Sequence, residues 1–271
     1  MSRITLGRYG FSIDVRDDEN HLATALTVEG LGFGTLWING GQLDSLDRLT
    51  ELLGATNTAT VGSSIIAPDR FTATDVAQVF TQAEKVAAGR LVVGLGSSHR
   101  SGALTHLNGY LEDLSGVPQE RRLLAALGPR AMTLARARFA GAMPMLFTEA
   151  QTASARQALG PDRLLSVGLY VVLDEQPDGA RTAARRPLKF LTTLTGYRKS
   201  LMRQGFTECD IDSHSDYLVD SLVAWGSTAE VVERARRLHG AGADHVHLTV
   251  LGDGSQPTGA NAARLLAAEF G

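Results

Sequence analysis

The chain has 271 residues, of which 44% are hydrophobic and 20% charged, so it is long enough to bury one large core. Its formal net charge of −3 gives no electrostatic reason for a nucleic-acid or anionic-membrane partner, and no segment is apolar over the length of a membrane span. The single cysteine, Cys209, excludes an intrachain disulfide and a cysteine-based metal site. With no signal-peptide pattern in residues 1–10, we expect a cytoplasmic protein with a small-molecule substrate.

Short apolar runs alternate with amphipathic stretches along the whole chain. Eight runs are branched, apolar and bounded by turn residues, which predicts buried strands at 4–11, 35–38, 60–66, 91–95, 123–127, 142–147, 164–173 and 245–250. Apolar residues three or four apart predict helices at 21–31, 46–57, 74–87, 104–114, 131–139, 152–159 and 228–241. Strand and helix alternation implies a parallel sheet, and eight strands close a barrel. The predicted fold is α/β, a single (β/α)8 TIM-barrel domain over residues 1–271.

Residues 177–227, between the seventh strand and the last predicted helix, are too long for a simple connection. We interpret them as a helical insertion, which in a barrel usually covers the active end as a lid or makes an oligomer contact. The aromatic residues of this segment form either its own small core or a wall of the substrate site: Phe190, Tyr197, Phe206 and Tyr217.

Two strand ends have the features of an anion site. The fourth strand runs into Gly96, Ser97, Ser98 and His99, where glycine lets the backbone approach a ligand closely. The segment Leu127-Gly128-Pro129-Arg130 leads from the fifth strand into a helix, whose first amides have no partner within the helix and attract anions. Ordinary punctuation between strand and helix is the alternative explanation for both segments.

Five segments match a known family pattern in order and spacing: EGLGFGTLW at 29–37, TVGSSII at 60–66, GRLVVGLG at 89–96, AALGPR at 125–130, and the last helix and strand from 225 to 246. Over nearly the whole chain they resemble the bacterial-luciferase-like superfamily, whose barrels bind FMN or the deazaflavin coenzyme F-420. Within it, the chain is similar to the short F-420-dependent oxidoreductases. The resemblance implies hydride transfer between F-420 and an unknown hydrophobic organic substrate, with an FMN-dependent monooxygenase as the alternative. It also implies a homodimer.

The resemblance assigns roles to the strand-end residues. The third strand is expected to end in a bulge with a non-proline cis peptide bond, where Ser63, Ser64 and Ile65 support the tricyclic ring. Two groups are expected at the coenzyme phosphate: the amides around Leu127, Gly128 and Pro129, with Arg130 as a charge-assisted partner, and Gly96 with Ser97 and Ser98.

The proton donor of the reaction is harder to place. Trp37 matches the family pattern and is expected near the substrate, but no acid or histidine follows it closely. His99 is the remaining candidate for the catalytic acid, because an imidazole donates and accepts protons near neutral pH. A histidine that caps a helix or contacts phosphate is the alternative role for His99.

Two other classes of function remain open. His245 and His247 share one face of the last strand, as in a metal-dependent hydrolase, but the chain offers no convincing set of further ligands, and we expect no metal. A barrel that binds a flavin or deazaflavin without catalysis is the third possibility. The arginine pairs at 121–122, 136–138 and 185–186 are expected on solvated faces.

Overall fold

The structure, a computed structural model, describes residues 4–16, 20–96 and 102–270. Its strands β1 to β9 are Tyr9–Ser12, Thr35–Asn39, Thr60–Ser64, Leu91–Leu95, Arg122–Leu124, Gly141–Ala142, Leu164–Val172, Val223–Trp225 and His245–Val250. Its helices α1 to α12 are His21–Gly30, Asp47–Ala55, Ala73–Val86, Ala103–Asp113, Pro129–Arg138, Glu149–Leu159, Pro177–Leu191, Thr195–Arg203, Glu208–Ser213, Asp216–Leu222, Thr228–Gly240 and Gly259–Phe270.

Eight parallel strands close into a barrel. Strands β1 to β7 pair in sequence order, and β9 pairs with both β7 and β1 to complete the ring. Strand β8 lies outside the ring and pairs with the last residues of β7. The prediction of a (β/α)8 TIM barrel is confirmed, and the eight predicted strands are the eight strands of the ring.

The sequence prediction missed two elements and misplaced several boundaries, most of all those of the first and sixth strands. Strand β8 and helix α12 were not predicted, although α12 buries Ala262, Ala263 and Leu266 in the main core. The first strand begins at Tyr9 instead of residue 4, because the preceding residues leave the sheet and fill the barrel interior. Strand β6 is limited to two residues, and Pro144, which follows it closely, has no N–H for a ladder hydrogen bond.

The expectation of a solvated face was wrong for two arginines. Arg121 and Arg122 are each 7% exposed. The Arg122 guanidinium donates to the carbonyl oxygens of Val117 and Leu114 at 2.6 Å, and Arg121 donates to the carbonyl oxygen of Gly89. These arginines satisfy backbone carbonyls in the loops before β4 and β5, a role that a charge pattern does not reveal.

The segment 177–227 contains helices α7 to α10 and strand β8. Its buried apolar residues form a cluster separate from the main core, and this cluster also includes Tyr170 and Val172 of β7. Phe206 lies within the cluster, whereas Phe190 and Tyr217 are more than 60% exposed. Within the residues that the structure covers, no helix combines the length and apolar character needed to cross a bilayer.

A carboxylate at the end of α1 fastens the loop that leads into β3, and this contact makes stability depend on pH. Burial alone would raise the pKa of Glu29, but N–H donors from Ala59, Thr58 and Asn57 outweigh it and lower the pKa to about 2. Because this pKa lies below the ordinary value of 4.5, the stabilisation is complete above that pH and is lost as the pH falls toward 2.

We therefore expect Glu29→Gln to lower the free energy of unfolding by about 1–2 kcal/mol at pH 7, since an amide cannot accept all of these bonds. The difference between variant and wild type should shrink below pH 4.5. Urea unfolding at several pH values measures both effects. Glu175→Gln, at an exposed position, is the matched control. A constant difference at every pH would contradict the assignment.

Candidate functional site

The carboxyl ends of the strands form a polar mouth at one end of the barrel. The Ser12 hydroxyl lies 2.8 Å from the Thr249 hydroxyl and 3.4 Å from the Oδ1 atom of Asn39. Ser12 and Asn39 are the last residues of β1 and β2, and Thr249 is the last residue but one of β9. In (β/α)8 enzymes this end of the barrel carries the active site.

Strand β3 ends in a bulge at residues 63–65, in which a serine hydroxyl replaces ladder hydrogen bonds. The Oγ atom of Ser63 accepts from the Gly94 N–H and donates to the Gly94 carbonyl oxygen, both at 3.0 Å. The Ser64–Ile65 peptide bond is cis, as the family resemblance implied. Ser64 and Ile65 are partly exposed, whereas the Ser63 side chain is fully buried and its hydroxyl is used within the barrel.

Two glycines let the neighbouring strands pack directly against this bulge. A Cβ atom on Gly40 would lie 2.3 Å from the carbonyl oxygen of Ile65, and one on Gly96 would lie 2.4 Å from the Ile65 Cδ1 atom. The Gly40 N–H donates to the Ser64 carbonyl oxygen at 2.8 Å. The glycines therefore hold Ser64 and Ile65 between the ends of β2 and β4.

The predicted anion site lies at the start of α5, next to the end of β4. Gly128 is the N-cap of this helix and supplies no side-chain cap, and Pro129 occupies the first turn. Arg130 is exposed in the same turn. The Ala125 N–H donates to the Leu95 carbonyl oxygen at 2.9 Å, which brings the ends of β4 and β5 together. The structure thus brings Leu127–Arg130 close to the strand end at Gly96.

A second arginine, which sequence reasoning missed, lies at this helix start. Arg203 at the end of α8 donates to the Leu127 carbonyl oxygen at 2.7 Å, and its Nη2 atom is 3.2 Å from the position of a Cβ on Gly128. Its neighbour Gln204 accepts from the Thr148 N–H at 2.9 Å and donates to the Leu146 carbonyl oxygen at 3.0 Å. Helix α8 therefore lies across the carboxyl ends of β5 and β6.

Two phenols lie where β7 meets this helical segment. Burial raises the pKa of Tyr197 to about 12. Burial, reinforced by the nearby Tyr197, also raises the pKa of Tyr170. Both hydroxyls are protonated at neutral pH, as an ordinary phenol also is, and the raised pKa values extend this state to more alkaline pH. Tyr197 was noted in the sequence as an aromatic residue of the insertion, but Tyr170 lay inside a predicted strand without any signal of its own.

Trp37 lies below the mouth, in the barrel interior. Its side chain is fully buried, and its Nε1 atom donates to the Nε2 atom of His245 at 3.0 Å. The Nδ1 atom of His245 is 2.8 Å from the Gly7 carbonyl oxygen, so this nitrogen carries the proton. Burial lowers the pKa of His245 to about 4, despite the Gly7 bond. It also lowers the pKa of His247 to about 3, with His245 contributing.

The predicted site residues therefore fall into three groups. Ser64, Ile65 and Gly96 meet at the β3 bulge, Leu127, Gly128, Pro129 and Arg130 lie at the start of α5, and Trp37 lies beneath the mouth. Ser97, Ser98 and His99 lie outside the described residues, so their roles stay predictions. His245 and His247 share the inward face of β9 as expected. Over residues 4–16, 20–96 and 102–270, no group of three or more His, Cys, Asp or Glu side chains is arranged to hold a metal ion.

The protein is a closed parallel barrel, and a helical segment lies across the ends of two of its strands. Several solved structures are similar to it over nearly their whole length. An F-420-dependent secondary alcohol dehydrogenase in complex with an F-420-acetone adduct matches with a TM-score of 0.72 and 14% identity, covering 97% of this chain and 98% of that one. The coenzyme F-420-dependent tetrahydromethanopterin reductase from Methanopyrus kandleri matches with a TM-score of 0.70 and 14% identity over 99% and 98% of the two chains.

A Type II Baeyer-Villiger monooxygenase, the oxygenating constituent of 3,6-diketocamphane monooxygenase from Pseudomonas putida in complex with FMN, matches with a TM-score of 0.66 and 13% identity over 97% and 96% of the two chains. No family model and no curated protein matches the sequence. The chain therefore has the closed parallel-barrel fold of these F-420-dependent enzymes and this monooxygenase.

Proposed function

We propose that this protein is an oxidoreductase that transfers a hydride between coenzyme F-420 and a hydrophobic organic substrate. The observation that carries the proposal is the presence of two features at the same end of the barrel, on strands separated only by β4: the β3 bulge enclosed by glycines, and the α5 start after β5 with two arginines. The likeness to two F-420-dependent enzymes supports it. The FMN-bound monooxygenase of the same fold supports an FMN-dependent monooxygenase as the second candidate.

The residues present fit a tricyclic ring with a phosphate-bearing tail. Ser64 and Ile65 offer a partly exposed surface for one face of a ring, since Gly40 and Gly96 leave no side chain in the way. The α5 start offers amide donors and the positive end of a helix dipole for an anion. A bound F-420 would supply the hydride donor or acceptor, and the protein would orient the substrate and exclude water.

The remaining roles are assigned to groups around the mouth. His99 is proposed as the proton donor, and Trp37 as a residue that supports the substrate site from below. We propose that α8 and the rest of residues 177–227 cover the site. The hydrogen bonds of Arg203 and Gln204 hold this segment against the ends of β5 and β6. The homodimer implied by the resemblance also belongs to this proposal.

Titration with F-420 and with FMN, each oxidised and reduced, tests the proposal by fluorescence and calorimetry at one salt concentration. Tight and selective binding of F-420, followed by hydride transfer in a screen of enones, imines and ketones, is the expected result. Selective FMN binding would favour the monooxygenase. Binding of F-420 without transfer to any acceptor would favour a non-catalytic binding protein, and binding of neither would refute all three.

Arg130→Gln and Arg203→Gln should each weaken F-420 binding by about tenfold, which corresponds to 1.4 kcal/mol, because each removes a positive charge beside the proposed phosphate site. The loss should diminish as salt is added, since exposed charges are screened. Arg136→Gln, an exposed change at the other end of α5, is the matched control and should leave affinity unchanged. Equal affinity in all three variants would place the phosphate elsewhere.

A further inference from the structure

Two polar side chains in the barrel interior have no hydrogen-bond partner in the part of the chain that the structure describes. His247 of β9 is 1% exposed, and both its ring nitrogens are unpaired. Ser166 of β7 is fully buried, and its hydroxyl is unpaired. Buried polar groups in folded proteins are almost always paired with protein or with an ordered water, so this pair needs an explanation.

The neighbouring histidine shows that the barrel is able to satisfy an imidazole where it serves the fold. Both nitrogens of His245 are paired, one with Trp37 and one with the Gly7 carbonyl oxygen. His247 lies two residues further along the same face of the same strand and is equally buried. The difference between the two residues is that His247 has unused hydrogen-bonding capacity on both sides of its ring.

His247 lies close to the mouth of the barrel. Gly168 of β7 lies opposite, where a Cβ atom would be 2.8 Å from the His247 Cε1 atom and 3.1 Å from Nε2. Ser166 precedes Gly168 on the same face of β7. In the other direction, the next inward residue after His247 is Thr249, which contacts Ser12 in the mouth. His247 therefore lies one layer beneath the polar mouth, and Ser166 lies one layer deeper, level with His245.

The surroundings define the chemistry of the missing partner. A neutral imidazole offers one donor and one acceptor, and a serine hydroxyl offers both. The described side chains that fill the barrel interior beside them are mostly apolar: Ile4, Leu6, Trp37, Val92, Leu123 and Met143. A charged ligand would be poorly solvated there, whereas a neutral oxygen suits the pair, because it accepts from the imidazole N–H, from the serine O–H or from both.

We propose that the Ser166 hydroxyl and one ring nitrogen of His247 form a buried binding site for one neutral oxygen group beneath the mouth. In the free protein this oxygen is a water molecule, and in the substrate complex it is a hydroxyl or carbonyl oxygen of the substrate. The binding of a substrate oxygen rests on the proposed function, whereas the binding of a water molecule does not depend on any coenzyme. His247 is thereby a positioning residue that favours substrates with an oxygen near the reacting carbon.

Thermal unfolding of the coenzyme-free protein tests whether the site is filled. Ser166→Ala should lower Tm by about 2–4 °C if the hydroxyl binds an ordered water. Ser154→Ala, at an exposed helix position, is the matched control and should leave Tm unchanged. His247→Gln, which keeps a donor and an acceptor, should be more stable than His247→Leu. The proposal would be overturned if both Ser166→Ala and His247→Leu were at least as stable as wild type. That result would mean that the polar groups have no partner, since removing an unpaired buried group removes its desolvation cost.

High-resolution crystal structures identify the source of the oxygen. The coenzyme-free protein should show a water within hydrogen-bond distance of both side chains, and a dry site would overturn the proposal. In the F-420 complex soaked with cyclohexanol, an alcohol oxygen bound to His247 supports the substrate half, whereas an undisturbed water refutes that half. Failure to bind F-420 would refute the proposed function, but it would not affect the test of the water site, which uses the coenzyme-free protein.

Discussion

Gly94→Ala is expected to lower the free energy of unfolding by about 3 kcal/mol, because no room exists for a methyl group at this position. A Cβ atom there would lie 2.0 Å from the Ser63 carbonyl oxygen and 2.6 Å from the Met143 sulfur. The backbone is poorly able to yield, since Gly94 exchanges two hydrogen bonds with the Ser63 hydroxyl. The damage should extend to the β3 bulge and therefore to F-420 affinity.

Urea unfolding followed by circular dichroism measures this effect. Gly109→Ala is the matched control, because this glycine lies in α4 and nothing lies within 4 Å of its Cβ position. That substitution should raise the free energy of unfolding by about 0.5–1 kcal/mol through the better helix propensity of alanine. A Gly94→Ala variant as stable as wild type would show that β3 and β4 do not approach so closely.

Trp37→Phe is expected to lower the free energy of unfolding by about 2–4 kcal/mol. Two costs combine in this variant: a smaller ring leaves a cavity in the barrel interior, and the Nε2 atom of His245 loses its donor. His245 cannot turn to water instead, because it is 1% exposed and its other nitrogen is held by Gly7.

Trp225→Phe is a control that makes the same chemical change at the second tryptophan. The Trp225 indole also donates, to the Asp220 carboxylate at 2.8 Å, but the residue is partly exposed and its partner is accessible to water. We expect a loss of less than about 1 kcal/mol for this variant. Similar losses in the two variants by chemical denaturation would indicate that Trp37 is not a buried hydrogen-bond donor in the barrel.

The barrel itself was predictable from the sequence because its signals are local. Branched apolar runs such as 91–95 are typical of buried strands, and apolar residues at helical spacing marked seven helices that the structure confirms. Strand β8 and helix α12 were missed. The three residues of β8 are too few to show a period. Helix α12 follows the eighth predicted strand, after which the prediction placed no further element.

The candidate site was predictable only where it depends on the chain's own backbone. The α5 start is marked by a short motif within one segment, whereas the bulge and cis peptide bond at the end of β3 were implied by the family resemblance. The position of Arg203 beside Leu127 depends on two segments that are 76 residues apart. The pattern of residues within either segment does not predict the Arg203–Leu127 contact, because the contact depends on how α8 packs across the strand ends.

The sequence by itself determined the positions of the eight ring strands along the chain and the positions where glycine permits close approach, because burial period and backbone freedom are properties of neighbouring residues. The tertiary structure decided which polar groups find partners. Arg122 is paired with backbone carbonyls, and His245 is paired on both sides of its ring, whereas neither ring nitrogen of His247 has a partner among the described residues. Closure of the barrel sets these outcomes, because it fixes which side chains from distant strands share the same interior.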